Sequence, residues 1–186
     1  MSGTLILVVG PSGVGKDTLL MGAAGSLSDS DDFYFAKRHI TRPKDAGGED
    51  HIEISLRDYY AAEAAGAFPL HWKAHHTHYG VHKDELTSLE RGQNVILNGS
   101  RSVLDHARLK FPNLAIVSIT APEPLLRERL IARGRETVDQ IEKRVQRASE
   151  FEVSGDDVFE ICNDGTVEEG ILQMVAIFKR IGSVVA

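Results

Sequence analysis

The chain has 186 residues, a length that suits one compact domain with a substantial core and leaves little room for two. It is 42% hydrophobic and 26% charged, and its longest apolar run, Leu5 to Val9, is far too short to span a bilayer. The net charge of -6 argues against broad affinity for nucleic acid, although it allows a local basic cluster around one anionic ligand. We therefore expect neither a nucleic-acid nor a membrane partner.

The N-terminus and the cysteine content both bear on the cellular compartment of the protein. Residues Met1 to Thr4 lack the basic region and small-residue cleavage site of a secretory signal. The lone Cys162 cannot form an internal disulfide. Both features favour a reducing, cytoplasmic setting, and neither predicts an oligomeric state.

Apolar runs alternate with helical periodicity along most of the chain. Leu5 to Val9 is a continuous apolar run that ends at Gly10, which is typical of a strand buried on both faces of a parallel sheet. Further strands are predicted at 94–97, 114–119 and 158–162, and helices at 16–27, 101–110, 123–133, 137–151 and 167–181. Repeated strand and crossover helix give a three-layer α/β fold with a parallel central sheet.

Two segments break this alternation. Residues 33–92 are polar and rich in histidine, with Gly47, Gly48, Gly66 and Gly80 as breaks, and they predict a subdomain inserted between core segments 1–32 and 93–186. A second irregular stretch, 133–136, separates two helices on the side of the sheet where loops of open α/β folds meet ligands. It predicts a short lid at about 133–140.

The segment GPSGVGK, from Gly10 to Lys16, fits the pattern G-x-x-x-x-G-K. Glycines at this spacing let backbone N–H groups turn around phosphate oxygens, the lysine reaches the terminal phosphates, and the next helix adds its positive N-terminus. Because the match lies between a buried strand and a helix, it favours an ATP site over a structural glycine turn. The predicted ATP-binding residues of this segment are Gly10, Pro11, Ser12, Gly13, Val14, Gly15, Lys16, Asp17 and Thr18.

Asp17 is unusual, because many such loops have Ser or Thr after the lysine, where the hydroxyl contacts Mg²⁺. An ionised carboxylate beside polyphosphate is repelled unless a cation or ordered water lies between them. We therefore hypothesise that Asp17 helps to hold hydrated Mg²⁺, directly or through water. The alternative is that Asp17 complements the dipole of the helix that it begins.

Several motifs in order carry a family resemblance. They are VGPSGVGKD, RHITRP from Arg38, Gly48-Glu49, Trp72, Tyr79-Gly80 and RLIARG from Arg129. With them the chain resembles, over nearly its whole length, the guanylate kinase group of nucleoside monophosphate kinases. The resemblance implies a P-loop core, an inserted acceptor-binding subdomain and a lid that bears arginines.

Within that group the chain is most similar to the ribose 1,5-bisphosphate phosphokinases. The shared segments are GKD, ITR, W-x-A with a downstream YG, NGSR and RGRE, at 15–17, 40–42, 72–74 with 79–80, 98–101 and 133–136. This resemblance implies Mg²⁺-dependent transfer of the ATP γ-phosphoryl group to the 1-phosphate of ribose 1,5-bisphosphate. The products would be 5-phospho-α-D-ribose 1-diphosphate and ADP, and the implied pathway is phosphonate metabolism.

The acceptor side lacks the residues that read guanine in guanylate kinases. His71 stands where a Glu is expected, the strand end from Leu97 to Ser100 lacks both Asp residues, and Val81 replaces a hydroxyl residue. Guanine presents N–H donors that match carboxylates, and donors left unpaired in a closed site are costly. GMP is therefore disfavoured, and guanylate kinase, a kinase acting on an alcohol and a non-enzymatic binding module remain alternatives.

The resemblance also implies roles for charged residues. The predicted acceptor-binding residues are Arg38, Arg42, Tyr79, His71, Ser100 and Arg101, with Lys44 as an alternative to Arg38. The predicted catalytic residues are Lys16, Arg133 and Arg144, and Asn163 is placed near the adenine. The alternative for the lid arginines, above all Arg129 and Arg147, is a solvated basic helix face.

An acceptor phosphate is already nucleophilic, so we predict catalysis by positioning and charge neutralisation and no general base. The histidines His71, His75, His76 and His78 lack the cysteine partners and defined spacing of tight zinc sites. We therefore assign them no metal, and the metal site of the prediction is Asp17 alone.

Overall fold

The structure is a computed structural model that describes residues 2–44, 49–74, 76–134, 137–149 and 152–184. Its strands are β1 Leu5–Val9, β2 Phe33–Phe35, β3 His39–Ile40, β4 Ile52–Glu53, β5 Leu70–Ala74, β6 Thr77–Val81, β7 Asn94–Asn98, β8 Leu114–Thr120 and β9 Val158–Cys162. Its α-helices are α1 Lys16–Ser26, α2 Leu56–Ala64, α3 Leu104–Lys110, α4 Glu123–Arg133, α5 Val138–Ser149 and α6 Val167–Val184. Two 3₁₀ segments, Lys83–Arg91 and Arg101–Val103, precede β7 and α3.

The main sheet has five parallel strands in the order β2-β7-β1-β8-β9. Along β1, Ile6 and Val8 face one apolar cluster together with residues of α1 and α6, while Leu5, Leu7 and Val9 face a second cluster with α3. This two-sided burial explains why β1 is a continuous apolar run. The three-layer α/β fold predicted from the sequence is confirmed.

The smaller sheet has the order β4-β3-β6-β5 and is built from residues between His39 and Val81. Its best-formed part is the antiparallel β5–β6 pair, in which Trp72 lies opposite Tyr79. Phe33–Phe35 does not belong to this sheet, because it pairs in parallel with Asn94–Ile96 of β7. The boundary that we predicted at residue 33 is therefore too early, since the short aromatic run from Phe33 to Phe35 does not itself show which of the two sheets it joins.

The predicted strands and helices of the core are found within a few residues of the expected bounds. The predicted helix at 101–110 begins instead with a 3₁₀ turn, and the one at 137–151 is Val138–Ser149 as far as it is described. Of the predicted lid, Arg135 and Glu136 lie outside the described residues, as do Gly47, Gly48 and His75. No helix in the described ranges has the length and apolar character needed to cross a bilayer.

Candidate active site

The phosphate loop connects β1 to α1 and depends on glycine at two positions. Gly13 has φ 85° and Gly15 has φ 98°, a region that residues with a side chain rarely adopt. A Cβ on Gly13 would lie 2.8 Å from Leu130 Cδ2, and one on Gly15 would lie 2.6 Å from Asn163 Nδ2. The loop is therefore packed tightly against α4 and against the residue that follows β9.

Lys16 lies at the start of α1 with its ammonium group folded back over the loop. Its Nζ donates to the carbonyl oxygens of Gly10, at 2.9 Å, and Pro11, at 3.3 Å. Burial lowers the pKa of Lys16 to about 8, against the opposing effect of the Asp17 carboxylate and with the help of the Arg38 guanidinium. Anionic ligands would favour the charged form of this group and raise its pKa again, so the loop is prepared for phosphate.

Three side chains from other elements hold the loop. The Arg144 Nη1 of α5 donates to Ser12 Oγ at 2.7 Å, and the Arg129 Nη1 of α4 donates to the Val14 carbonyl at 3.3 Å. Asn163 Nδ2, after β9, donates to the same carbonyl at 2.7 Å. Arg129 is thus half-buried at the loop rather than part of a solvated face.

Asp17 has a partner at the end of β7. Asn98 Nδ2 donates to Asp17 Oδ1 at 2.8 Å and also lies 3.3 Å from Glu49 Oε2. Asn98 Oδ1 is buried and has no hydrogen-bond partner in the described structure. The Asp17 and Glu49 carboxylates thus approach the same amide nitrogen, and carboxylate oxygens suit a hard cation such as Mg²⁺, so the residues present are compatible with the predicted metal.

The opposite wall of the site belongs to the small sheet. Arg38 forms a two-pronged ion pair with Glu49: Nε donates to Oε2 at 2.9 Å and Nη2 donates to Oε1. The Arg38 Cζ also lies 5.0 Å from the ring centroid of Tyr79 and 5.5 Å from that of Trp72. Arg38 therefore has partners both at one edge of its guanidinium, in Glu49, and at its face, in the two aromatic rings.

The segment that carries Arg42 and Glu49 is held by a buried histidine. The two ring nitrogens of His51 lie 3.0 Å from the Glu49 carbonyl oxygen and 3.1 Å from the Arg42 carbonyl oxygen, and His51 is almost fully buried. No carboxylate in the described ranges pairs with Arg42, and its Nε is buried without a partner there. Arg42 is the cation of this wall that an anion can engage.

Arg101 ties the end of β7 to the end of α5. Its guanidinium donates to the Arg147 carbonyl at 3.3 Å and to the Ala148 carbonyl at 3.5 Å, and burial lowers its pKa. These carbonyls belong to the last turn of the helix, where a cation is favourable. Because α5 also carries Arg144, this contact helps to set the position of Arg144 at Ser12.

All these groups surround one cleft of about 1140 Å³. Although the chain has a net charge of -6, basic side chains outnumber acidic ones among the described residues of this cleft. The basic ones are Lys16, Lys37, Arg38, Arg42, Arg101, Arg129 and Arg133, and the acidic ones are Asp17, Glu49 and Asp50. Such a contrast concentrates anionic ligands in the cleft.

Most of the predicted site residues meet in this cleft. Those that line it are Gly10, Pro11, Ser12, Gly13, Gly15, Lys16, Asp17, Thr18, Arg38, Arg42, Tyr79, Ser100, Arg101, Arg133 and Asn163. Val14 contributes only its backbone, since its side chain is buried in the core, and Arg144 reaches the loop through Ser12. Arg147 remains an exposed residue that offers its carbonyl to Arg101.

His71 does not belong to the site. Side chains alternate along a strand, so Trp72 of β5 faces inward while His71 faces the other way. The His71 ring pairs with Glu63 Oε1 at 2.9 Å on the outer side of the small sheet. Its predicted acceptor-binding role is wrong, because the alignment of one motif position did not account for this alternation.

Several side chains of the site were not among the predicted site residues. Glu49, Trp72 and Asn98 were noted only as parts of motifs. The position of Asn98 at the end of a strand next to β1 was a usable signal, because such ends meet at one edge of the sheet. His51 gave no signal, since nothing in its sequence neighbourhood indicates burial.

Comparisons with known proteins agree with this geometry. A family model described as an AAA domain matches residues 6–150. The ribose 1,5-bisphosphate phosphokinase PhnN of Rhizobium etli is 44% identical over 176 residues, which are 94% of this chain and 89% of that protein. The one of Agrobacterium fabrum is 45% identical over 177 residues, covering 95% and 96%.

A longer bifunctional protein and a solved structure are also similar to this chain. A bifunctional ribose 1,5-bisphosphokinase-thymidine phosphorylase of Roseobacter denitrificans is 44% identical over 94% of this chain, which is 26% of that protein. A guanylate kinase of Anaplasma phagocytophilum has the same fold, with a TM-score of 0.66 at 16% identity over 96% of this chain and 86% of that one. From the coverage and identity of its sequence relatives, the chain belongs to the ribose 1,5-bisphosphate phosphokinase family.

Proposed function

We propose that the protein transfers the γ-phosphoryl group of ATP to the 1-phosphate of ribose 1,5-bisphosphate, giving 5-phospho-α-D-ribose 1-diphosphate and ADP. The observation that carries this proposal is the basic cleft, which has the phosphate loop at one end and the wall that carries Arg38 and Arg42 at the other. The names of relatives at 44% and 45% identity support this choice of acceptor.

At the loop end, the proposed ligand is the triphosphate of ATP. Backbone N–H groups of the loop surround the phosphates, and Lys16 would exchange its bonds to the Gly10 and Pro11 carbonyls for phosphate oxygens. Asn163 is proposed to contribute beside the adenine, although its described contact is to the Val14 carbonyl. The proposed ATP-binding residues are Gly10, Pro11, Ser12, Gly13, Val14, Gly15, Lys16, Asp17, Thr18 and Asn163.

At the acceptor end, the proposed ligand is a sugar bearing two phosphates. Arg42 is the first contact, since no described carboxylate competes for it, and Tyr79 adds a phenolic hydroxyl. Ser100 and Arg101 also line the cleft. The predicted contact of Arg38 with an acceptor phosphate stays a prediction, and Glu49 already takes two of the five N–H donors of this guanidinium.

The chemistry asks the protein mainly to bring two anions together. The attacking oxygen belongs to a phosphate that is ionised at neutral pH, so no proton has to be removed by a side chain. Lys16 neutralises charge at the loop, Arg133 lies exposed at the edge of the cleft, and Arg144 is positioned through Ser12. We propose these three as the catalytic residues.

Asp17 and Asn98 are the residues that we propose to hold Mg²⁺, directly or through water. Their oxygens lie next to the phosphate loop, and Asn98 Oδ1 has no partner in the described structure. Bound there, Mg²⁺ supplies positive charge to the phosphate oxygens.

The cellular setting is also part of the proposal. We propose a cytoplasmic enzyme that acts in phosphonate metabolism. The free and exposed Cys162 suits a reducing compartment.

The test is a coupled assay of ADP release with ribose 1,5-bisphosphate, ribose 5-phosphate, GMP and gluconate as acceptors. We expect turnover with ribose 1,5-bisphosphate and loss of that turnover in Lys16→Met. Lys179→Met, which changes an exposed lysine of α6, is the matched control. Turnover with GMP in place of the sugar would overturn the proposal.

A further inference from the structure

The proposed function leaves one feature of the acceptor wall without a role. Trp72 and Tyr79, which we call the aromatic shelf, are cross-strand neighbours whose rings are parallel within 4° with centroids 5.3 Å apart. These two rings stack on each other, and the outer face of a stacked aromatic pair at the wall of a cleft is a general platform for a planar ring, which nucleobases use without regard to sequence. The furanose of a sugar phosphate is not planar and has no aromatic face to stack there.

Arg38 covers this shelf. Its guanidinium carbon lies 5.0 Å from the Tyr79 centroid and 5.5 Å from the Trp72 centroid, and a guanidinium is itself planar and stacks on aromatic faces. Arg38 is 8% exposed and Trp72 is 7% exposed, although both line the cleft. The platform that a base requires is therefore already filled by a side chain of the protein.

Hydrogen bonds hold the Arg38 side chain in its position over the two rings. Glu49 binds its Nε and Nη2, and the Glu49 carboxylate is itself 3.3 Å from Asn98 Nδ2. The backbone of Glu49 is held in turn by the buried His51. Moving Arg38 aside would leave a largely buried carboxylate without its partner, which is strongly unfavourable.

The cleft offers no equivalent surface elsewhere in the described structure. The remaining aromatic side chain along it is Phe35, whose ring is packed edge-on against Phe178 of the core at 6.3 Å. A nucleotide acceptor would thus meet the shelf at Trp72 and Tyr79 or find no stacking partner.

We infer that Arg38 determines acceptor specificity by occupying the stacking place of a nucleobase, so that the cleft excludes nucleoside monophosphates and admits a phosphorylated sugar. The inference rests on the proposed function for the identity of the admitted acceptor. Arg38 excludes the nucleobase sterically, and building a clash against the wrong ligand is a general route to specificity. Glu49 is the positioning residue that keeps Arg38 on the shelf.

Trp72 is the single tryptophan of the chain, so its fluorescence reports on the shelf alone. The first variant is Arg38→Ala, which leaves the carboxylate of Glu49 without its partner. The second is the double variant Arg38→Ala with Glu49→Gln, in which that carboxylate is replaced by an uncharged amide. Arg57→Ala, at an exposed arginine of α2 in the same part of the chain, is the matched control. Circular dichroism and thermal unfolding establish which variants are folded.

GMP and AMP are the probes, and ribose 5-phosphate is the base-free control ligand. We expect both Arg38 variants to bind GMP and AMP at least about tenfold more tightly than the unaltered protein, with quenching of Trp72 emission. Ribose 5-phosphate should gain nothing, and Arg57→Ala should behave like the unaltered protein.

Two results would overturn the inference: quenching by GMP in the unaltered protein as strong as in the variants, or no gain in a folded double variant. The proposed function is measured separately, as ADP release with ribose 1,5-bisphosphate by the unaltered protein. Turnover of that sugar without any gain in GMP binding sinks the inference alone. A gain in GMP binding without turnover of the sugar sinks the proposed function and leaves the role of Arg38 standing.

Discussion

The phosphate-loop end of the cleft is built from backbone, whereas the acceptor end is built from side chains. At the loop, the decisive groups are glycines with left-handed dihedrals, a lysine, and the Val14 carbonyl and Ser12 hydroxyl, which side chains of α4, α5 and the end of β9 hold in place. At the acceptor end, Arg38, Glu49, Trp72, Tyr79 and Asn98 come together from positions far apart in the chain. Substitutions at the loop end should therefore cause a large loss of activity or stability, whereas substitutions at the acceptor end should change acceptor selectivity.

The largest effect is expected at Lys16. Lys16→Ala removes the cation that faces the phosphates, and we expect kcat/KM for ADP formation to fall by about 100-fold or more. Steady-state kinetics with saturating acceptor measure it, with Lys179→Ala on α6 as the control. A loss of less than about tenfold would contradict the role of Lys16.

The next effect concerns the loop backbone. Gly15→Ala would force a Cβ to within 2.6 Å of Asn163 Nδ2 at a φ of 98°, and we expect a cost of about 1–3 kcal/mol in free energy of unfolding. Gly25→Ala is the matched control in α1, where the added methyl meets no atom within 4 Å. That change should stabilise the protein by about 0.5–1 kcal/mol, since alanine is the better helix former. Equal shifts of Tm in both variants would show that the loop does not depend on its dihedrals.

A third test uses the lowered pKa of Lys16, about 8. Because nucleotide phosphates favour the ammonium form, binding above that pH must take up a proton, so affinity falls as pH rises. We expect ATP to bind about tenfold more weakly at pH 9 than at pH 7. Calorimetry in buffers of different ionisation enthalpy measures both the affinity and the proton uptake. Binding that strengthens with pH would contradict the shift.

The smallest effect is expected at the acceptor end. Glu49→Gln keeps the size of the side chain but weakens its hold on Arg38, and we expect KM for the acceptor to rise about fivefold. KM for ATP should stay unchanged, and Glu90→Gln, at an exposed position, is the control. An equal rise in both KM values would mean that the two ends of the cleft are not separable.

The same contrast explains what the sequence could predict. The loop is one contiguous segment between a strand and a helix, so its motif implied its structure, and the core strands followed from apolar runs such as Leu5 to Val9. The acceptor wall depends on cross-strand register, which placed His71 on the outer face and Trp72 on the inner one. Arg38 was predicted to bind phosphate because sequence shows a charge and not its partner, and Glu49 proved to be that partner.

Asn98 also connects the two ends of the cleft. One uncharged amide lies between two carboxylates, one on the first turn of α1 and the other on the segment that carries the acceptor wall. Its Nδ2 donates to both carboxylates, in a place where an aspartate would add a third acidic side chain. The same amide connects α1 to the segment that carries Glu49, so a displacement of that segment relative to the loop would change both hydrogen bonds of Asn98. We therefore expect ligand binding at one end of the cleft to affect ligand binding at the other end through the side chain of Asn98.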